Sequence, residues 1–297
     1  MEFANKTVSA VLFSRNDNYS DDLKDRAIIC FKYLIDSVDE IIYVDWGTEE
    51  GKKPLLDELP DVISKNPKIK QIVISEEKVR DILPDGGDMM CQVFPRNIGI
   101  RSATKDYILS TNIDIIVPPE KQLKEMLVSD NTMYVISRKD VNMGATCMLF
   151  NANASIVYDI LSWHTNEKNS SADYEPENFF KMNAAKQLLE DSDLYSNHLK
   201  YSKIFNCGDY QIAHRKVWYD IKGFEEGMIK HWGIDSNVQV KVIKHGFKLE
   251  ILKSPNVFHM HHGARSSHIA AKTTMNDMDY FMNKFGSSEN SNNWGIF

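Results

Sequence analysis

Short apolar runs alternate with helical patterns along the first third of the chain. Thr7–Phe13 and Glu40–Asp45 are apolar and rich in β-branched side chains, which predicts two buried strands, and Ile69–Ile74 predicts a third strand. Between them, Leu23–Leu34 and Lys52–Ser64 carry apolar residues at helical spacing. This alternation of strand and helix predicts an α/β fold built on a mostly parallel, doubly wound sheet.

A polar break interrupts the apolar run Asp106–Val117 (DYILSTNIDIIV), which Pro118 and Pro119 end. We predict a central strand that enters a polar turn at this point. Ser155–Lys203 is polar and predicts a helical insertion, and the Ser- and Asn-rich residues Gly286–Phe297 predict a flexible tail. The remaining predicted elements are helices over Ile98–Thr104, Glu120–Val128 and Asp235–His245, and strands over Tyr134–Ser137, Ala145–Asn151, Leu249–Leu252 and Asn256–His259.

The composition indicates which binding partners and which cellular compartment to expect. The formal net charge is −7, whereas nucleic-acid-binding domains are usually basic, so we expect no nucleic-acid partner. The four cysteines, at 30, 91, 147 and 207, form no C-x-x-C pair, which predicts free thiols. The N-terminus lacks the pattern of a secretory signal, and no stretch has the roughly 18 apolar residues of a membrane span. We expect a cytoplasmic protein that would reach a lipid-linked acceptor only by peripheral contact with the membrane.

The first two strands end in candidate nucleotide contacts. Asp45 closes the strand EIIYVD, and in open α/β sheets ligands bind outside the carboxyl ends of the strands. Its carboxylate is a candidate acceptor for a base or a ribose hydroxyl, although a turn-forming aspartate before Trp-Gly would look the same. Arg15 follows the first strand and is either a phosphate contact or a solvated loop arginine.

The polar break at Asn112-Ile113-Asp114 is a candidate metal site. Two oxygen-bearing side chains at i and i+2 point the same way on an extended chain. Such oxygens suit Mn²⁺ or Mg²⁺ bridging a donor diphosphate, where the cation would act as a Lewis acid. The alternative is a strand end closed by an Asx turn.

A histidine cluster follows near residue 260. In VFHMHHG, His259 and His261 share one face if the segment is extended, so either is a candidate to complete the metal shell, and His262 takes the other face. Arg265 comes next and is a candidate phosphate contact. An exposed His-rich loop is the alternative.

A fourth candidate precedes the predicted helix at 235–245. Asp235 is either the N-cap of that helix or a general base that deprotonates an acceptor hydroxyl. Trp232, three residues earlier, is a candidate wall of a sugar pocket.

The order of these segments resembles the glycosyltransferase A fold, especially the family 2-like superfamily and the polypeptide N-acetylgalactosaminyltransferase-like enzymes. The segments that carry the resemblance are VSAVLFSRND, EIIYVDWGT, FPRNIGIRSATKDYILSTNID, CGDYQIAHRKVWYDIKGFEE, HWGIDSNVQVKVIKHGFKL and NVFHMHHG. The resemblance implies that Arg96 and Asn97 lie near the donor, that Asn112 and Asp114 lie at the metal, that Asp209 and Glu225 face the sugar or acceptor, and that Asp235 is the acceptor-side acid. Two departures stand out: Asn112 replaces an aspartate of the metal motif, and a single acid precedes Ser236.

We therefore predict one catalytic domain over residues 1–297, with a nucleotide-binding half at 1–118, an acceptor half at 119–285 that includes the insertion at about 155–203, and the tail at 286–297. The predicted activity is inverting, metal-dependent transfer of a sugar from a nucleotide-sugar donor, UDP-type favoured, to a hydroxyl on a glycan, lipid-linked or protein acceptor. The alternatives are a sugar nucleotidyltransferase, for which the first loop lacks a Gly-rich basic segment, and an inactive nucleotide- or carbohydrate-binding protein. No G-x-G-x-x-G follows the first strand, which argues against a Rossmann oxidoreductase.

Overall fold

The computed structural model of the chain describes residues 6–17, 22–83, 89, 91–141, 158, 161, 208–229, 234–260, 262 and 290–296. The predicted insertion, apart from residues 158 and 161, and the predicted strand Ala145–Asn151 lie outside the described residues. The described strands are β1 (Val8–Ser14), β2 (Glu40–Trp46), β3 (Ile69–Ile74), β4 (Tyr107–Thr111), β5 (Ile115–Ile116), β6 (Thr132–Val141), β7 (Tyr210–His214) and β8 (Lys248–Met260). The described helices are α1 (Leu23–Ser37), α2 (Asp61–Ser64), α3 (Glu76–Ile82), α4 (Val93–Ser102), α5 (Glu120–Met126), α6 (Arg215–Asp220) and α7 (Ile234–Lys244).

The strands described form a single sheet in the order β3-β2-β1-β4-β7-β6-β8-β5. The first four in this order are parallel, β7 is antiparallel to both neighbours, β6 and β8 are parallel, and β5 is antiparallel to β8. The predicted α/β class with a mostly parallel central sheet is therefore confirmed. Because β2, β1 and β4 run the same way, the residues that follow them meet at one edge of the sheet.

Alternate residues of each strand feed the cores on the two faces of this sheet. Val8, Ala10 and Leu12 of β1 pack with the apolar side of α1, whereas Val11 and Phe13 pack with residues of α4 and α7 on the opposite face. A Cβ built on Gly99 would lie 2.2 Å from Val11 Cγ1, so only a glycine lets α4 approach β1 this closely. This close packing holds α4, which carries Arg96, against the sheet.

Several element boundaries differ from the predicted ones. The predicted helix Lys52–Ser64 is a 3₁₀ turn at Leu55–Glu58 followed by α2, because Pro60 forces the preceding Leu59 into an extended conformation. The two strands predicted between 249 and 259 are one strand, β8. Among the helices described, none combines the length and the apolar character that a bilayer crossing demands.

The segment 290–296 is packed against the domain, in contrast to the flexible tail predicted for 286–297. Trp294 is 2% exposed, and the Arg101 guanidinium lies 5.2 Å from the centre of its ring. Asn290 donates to the carbonyls of Lys222 and Phe224 and is itself buried. An indole ring buried against a cation, together with the side-chain amide contacts of Asn290, fixes this segment in place.

Candidate active site around a metal-ligand triad

Asp114, His259 and His262 form a cluster of three metal-binding side chains, which we call the metal-ligand triad. One ligand atom from each lies within 4.8 Å of the others. Asp114 Oδ2 is 3.6 Å from His259 Nε2 and 3.0 Å from His262 Nε2, and the two Nε2 atoms are 3.2 Å apart. Adjacent ligands of an ion with bonds of about 2.1 Å are themselves about 3 Å apart, so these spacings suit one shared cation.

The pairing of β5 with β8 brings the triad together. Ile115 is the partner of His259 in this antiparallel ladder, and the Met260 amide donates to the Asp114 carbonyl at 2.9 Å. Asp114 ends the turn between β4 and β5, so its side chain meets the end of β8. β8 ends at Met260, and His262 lies two residues beyond it.

Electrostatics within the triad favour a bound cation. Burial alone would raise the pKa of Asp114, but hydrogen bonds and charge from His259 and His262 outweigh it and hold that pKa well below its ordinary value. Burial would lower the pKa of His259, yet Asp114 raises it above its ordinary value. Asp114 and His259 therefore favour each other's charged forms, and a divalent cation bound to the carboxylate would take over this stabilisation of its negative charge.

The triad fits a divalent transition metal. Asp114 Oδ1 is buried and has no hydrogen-bond partner among the described residues, so this oxygen is available to coordinate a cation. Two imidazole nitrogens with one carboxylate suit Mn²⁺ and its neighbours in the transition series, whereas Mg²⁺ prefers an all-oxygen set.

A partly buried polar network lies next to the triad. The Arg96 guanidinium donates to Ser110 Oγ at 2.7 Å and to Asn112 Oδ1 at 2.6 Å. Asn112 in turn donates to Asp209 Oδ1 at 2.5 Å, and Asp209 Oδ2 accepts from Arg138 at 2.5 Å. The sequence predicts Asn112 as a metal ligand. In this structure its side-chain oxygen instead accepts a hydrogen bond from the Arg96 guanidinium.

Asp235 faces this network from the first turn of α7. Its Oδ1 is buried without a hydrogen-bond partner among the described residues. Burial raises the pKa of Asp235 to about 6, which Arg96 opposes and Asp209 reinforces. A Cβ at Gly208 would lie 1.8 Å from that Oδ1, so the glycine lets a backbone amide approach the carboxylate. A carboxylate with this pKa is suited to accept a proton near neutral pH.

Two solved structures resemble this architecture. The mannosyltransferase PcManGT from Pyrobaculum calidifontis, in complex with GDP-Man and Mn²⁺, aligns with a TM-score of 0.49 and 13% identity over 90% of this chain and 60% of its own. GalNAc-T7, in complex with UDP, GalNAc and Mn²⁺, aligns with a TM-score of 0.51 and 13% identity over 90% of this chain and 46% of its own. The chain adopts the glycosyltransferase A fold.

The likeness to GalNAc-T7 establishes the fold of the chain and no more, because the identity is only 13%. The chain spans 60% and 46% of the lengths of the two proteins. No protein-family model matches the sequence. No curated protein matches it either.

The predicted nucleotide contacts Asp45 and Arg15 follow β2 and β1 at the edge of the sheet where the turn containing Asp114 follows β4. Asp45 is fully buried at the end of β2, where it accepts from Thr48 Oγ1 at 2.8 Å, and burial raises its pKa. Its Oδ1 has no hydrogen-bond partner among the described residues. β1 separates β2 from β4, so Asp45 lies about 10 Å from the start of the metal turn. Arg15 instead faces acids, with its guanidinium 3.7 Å from Glu49 and 3.6 Å from Glu76.

Two predicted site residues have contacts that shape the protein interior. Asn97 accepts from the Phe224 amide at 2.8 Å and donates to the Phe224 carbonyl and to Glu226, so its amide ties α4 to the 223–226 loop. Glu225 is 3% exposed and lies near the buried Lys241, whose ammonium donates to the Gly223 carbonyl at 2.7 Å. Both side chains therefore have contacts in the protein interior that support the fold.

Three predicted site residues, Trp232, His261 and Arg265, lie outside the described residues. The second histidine of the triad is His262, which the alternation rule assigned to the opposite face. Arg138 and Asp140 also contact site residues, and no sequence motif predicts this. The sequence shows only the charged run Arg138-Lys139-Asp140, which continues β6 instead of ending it.

Proposed function

We propose that this chain is a metal-dependent glycosyltransferase that moves a sugar from a nucleotide-sugar donor to a hydroxyl acceptor. The observation that carries the proposal is the metal-ligand triad, which lies beside an acid of raised pKa, Asp235, in the glycosyltransferase A fold. A divalent cation and a proton acceptor are the two elements that such a transfer needs.

Asp114, His259 and His262 would hold the cation, and Mn²⁺ suits their nitrogen-rich set better than Mg²⁺. The bound ion would supply Lewis-acid stabilisation for the charge that builds on the leaving nucleoside diphosphate. The Mn²⁺ named with both structural neighbours supports this assignment.

Asp45 would bind the nucleoside of the donor. It lies about 10 Å from the metal turn along the same sheet edge, a separation suited to a nucleoside whose diphosphate reaches the triad. A free, buried carboxylate oxygen suits an N–H of the base or a ribose hydroxyl. A UDP-type donor is favoured, and the acceptor is a hydroxyl on a glycan, a lipid-linked sugar or a protein.

Asp235 would act as the base that removes the proton of the acceptor hydroxyl. Its pKa of about 6 leaves it ionised at pH 7 and still able to accept a proton. A base that activates an external hydroxyl for direct attack gives inversion at the sugar. The neighbouring Arg96 and Arg138 offset the negative charge of Asp235 and Asp209.

The test is a thermal-shift screen of UDP-, GDP- and dTDP-sugars with and without Mn²⁺, followed by assays of sugar release and transfer. We expect one donor class to stabilise the chain only together with Mn²⁺, and Asp114→Asn to abolish that stabilisation and turnover. Asp61→Asn, at an exposed acid on α2, is the matched control and should behave as the unmodified chain.

Donor binding without turnover, across metals and acceptors, would point to an inactive binding protein. Pyrophosphate release from a nucleoside triphosphate would point to a nucleotidyltransferase. If no nucleotide sugar bound or reacted under any of these conditions, the proposal would fail.

A further inference from the structure

Asp140 touches the metal-ligand triad without belonging to it. Its Oδ1 lies 2.8 Å from Nδ1 of His259, and an ionised carboxylate can only accept a hydrogen bond. The imidazole therefore donates from Nδ1, which leaves the lone pair of the neutral ring on Nε2. Nε2 is the atom that faces Asp114 and His262.

The register of the sheet creates this contact. Asp140 of β6 and His259 of β8 are direct partners in a parallel ladder. The ladder shifts between Ile136, which pairs with Leu252, and Arg138, which pairs with Val257. Without this shift, Asp140 would be opposite Asn256, three positions before the histidine. The irregularity in β8 therefore serves to align the acid with the ring.

A second contact holds the acid itself. The Arg138 Nε lies 3.6 Å from Asp140 Oδ1, and another nitrogen of the same guanidinium bonds Asp209. Arg138 and Asp140 are two residues apart on one strand, so their side chains share a face. The pair thus joins the metal-ligand triad to the network that contains Asp209 and Asn112.

We propose that Asp140 is a positioning residue that fixes the tautomer and orientation of His259, so that Nε2 is presented to a divalent cation. This inference rests on the proposed metal site but concerns a residue outside the ligand set. Acids that accept from the distal nitrogen of a metal-binding histidine typically change metal affinity about 10–100-fold when removed.

Mn²⁺ titration of the full chain by calorimetry tests the consequence for binding. We expect Asp140→Ala to weaken Mn²⁺ affinity about 10–100-fold. Asp140→Asn should lose less, because an amide oxygen can still accept from Nδ1. Glu250→Ala removes an acid from the other end of the same strand pair and is the matched control, with unchanged affinity expected.

The tautomer can be measured directly in the metal-free protein. Two-bond proton–nitrogen correlation spectra of the histidine rings should show His259 protonated on Nδ1 in the unmodified chain, and increased Nε2 protonation in Asp140→Ala. If the chain bound no Mn²⁺ at all, the proposed function would be refuted. The spectrum of the metal-free protein would still show whether Asp140 fixes the tautomer of His259. Unchanged Mn²⁺ affinity and an unchanged tautomer in a folded Asp140→Ala protein would overturn the inference.

Discussion

Replacing Asp235 by asparagine should stabilise the protein while removing its activity. Burial raises the pKa of this carboxyl from 3.8 to about 6, so the folded state disfavours the ionised form. The corresponding penalty is absent at a pH below the unfolded pKa, grows between pH 4 and pH 6, and is complete above pH 7. Asparagine has nearly the same shape and carries no charge, so it avoids the penalty.

The size of the gain follows from the shift in pKa. A shift of about 2 units corresponds to about 3 kcal/mol above pH 7. The asparagine forgoes up to about 1 kcal/mol, because an acid in the first turn of α7 interacts favourably with the helix dipole. We expect a net gain of about 2 kcal/mol, which for a chain of 297 residues raises Tm by about 3 °C.

Thermal unfolding of the unmodified protein and of Asp235→Asn at pH 8 and pH 4.5 checks this prediction. The part of the stability gain that comes from the pKa shift should fall at pH 4.5 to about a third of its value at pH 8. Turnover of the donor identified by the nucleotide-sugar screen should fall about 10²–10⁴-fold. Asp220→Asn, at an exposed acid paired with Lys216, is the control and should shift neither quantity appreciably. A lower Tm at pH 8, or a gain that does not depend on pH, would refute the reasoning about burial.

Two further predictions concern the loop at 223 and the nucleotide edge. Gly223→Ala should destabilise the protein by at least about 2 kcal/mol more than Gly246→Ala, measured by urea unfolding. Both glycines have positive φ, so both variants carry backbone strain. At 223 the new Cβ would also lie 2.3 Å from Asn97 Oδ1, whereas at 246 it would meet nothing within 4 Å. Equal losses would show that backbone strain alone matters. Asp45→Asn should weaken nucleotide binding at least about 10-fold in calorimetry and leave Mn²⁺ affinity unchanged, since Asp45 lies two strands from the metal turn. A parallel loss of Mn²⁺ affinity would contradict the separation of the two subsites.

The hydrophobic pattern was enough to predict the parallel half of the sheet. β1 and β2 are nearly continuous apolar runs, since both faces of the sheet are covered there, whereas the edge strand β3 is only partly buried. The same pattern placed Asp114 and His259 at strand ends, where the structure brings them together.

The pattern failed where side chains face the site. The predicted strand Tyr134–Ser137 stops before the charged residues Arg138, Lys139 and Asp140, yet these residues continue β6 along the network. Alternation also selected His261 over His262, because it assumed that β8 continues beyond Met260. The pattern of polar and apolar residues does not give the register or the end of a strand where polar side chains of that strand face a binding site.

The β5–β8 pairing has a thermodynamic consequence for the ion. Asp114 and His259 are separated by 145 positions in the chain (114 to 259), so the unfolded polypeptide offers only isolated ligands with little affinity for a cation. An ion held by both would act as a reversible cross-link across half the sequence. At an ion concentration 100 times its Kd, that cross-link would add about 2.7 kcal/mol to the free energy of unfolding, and a chelator would remove it.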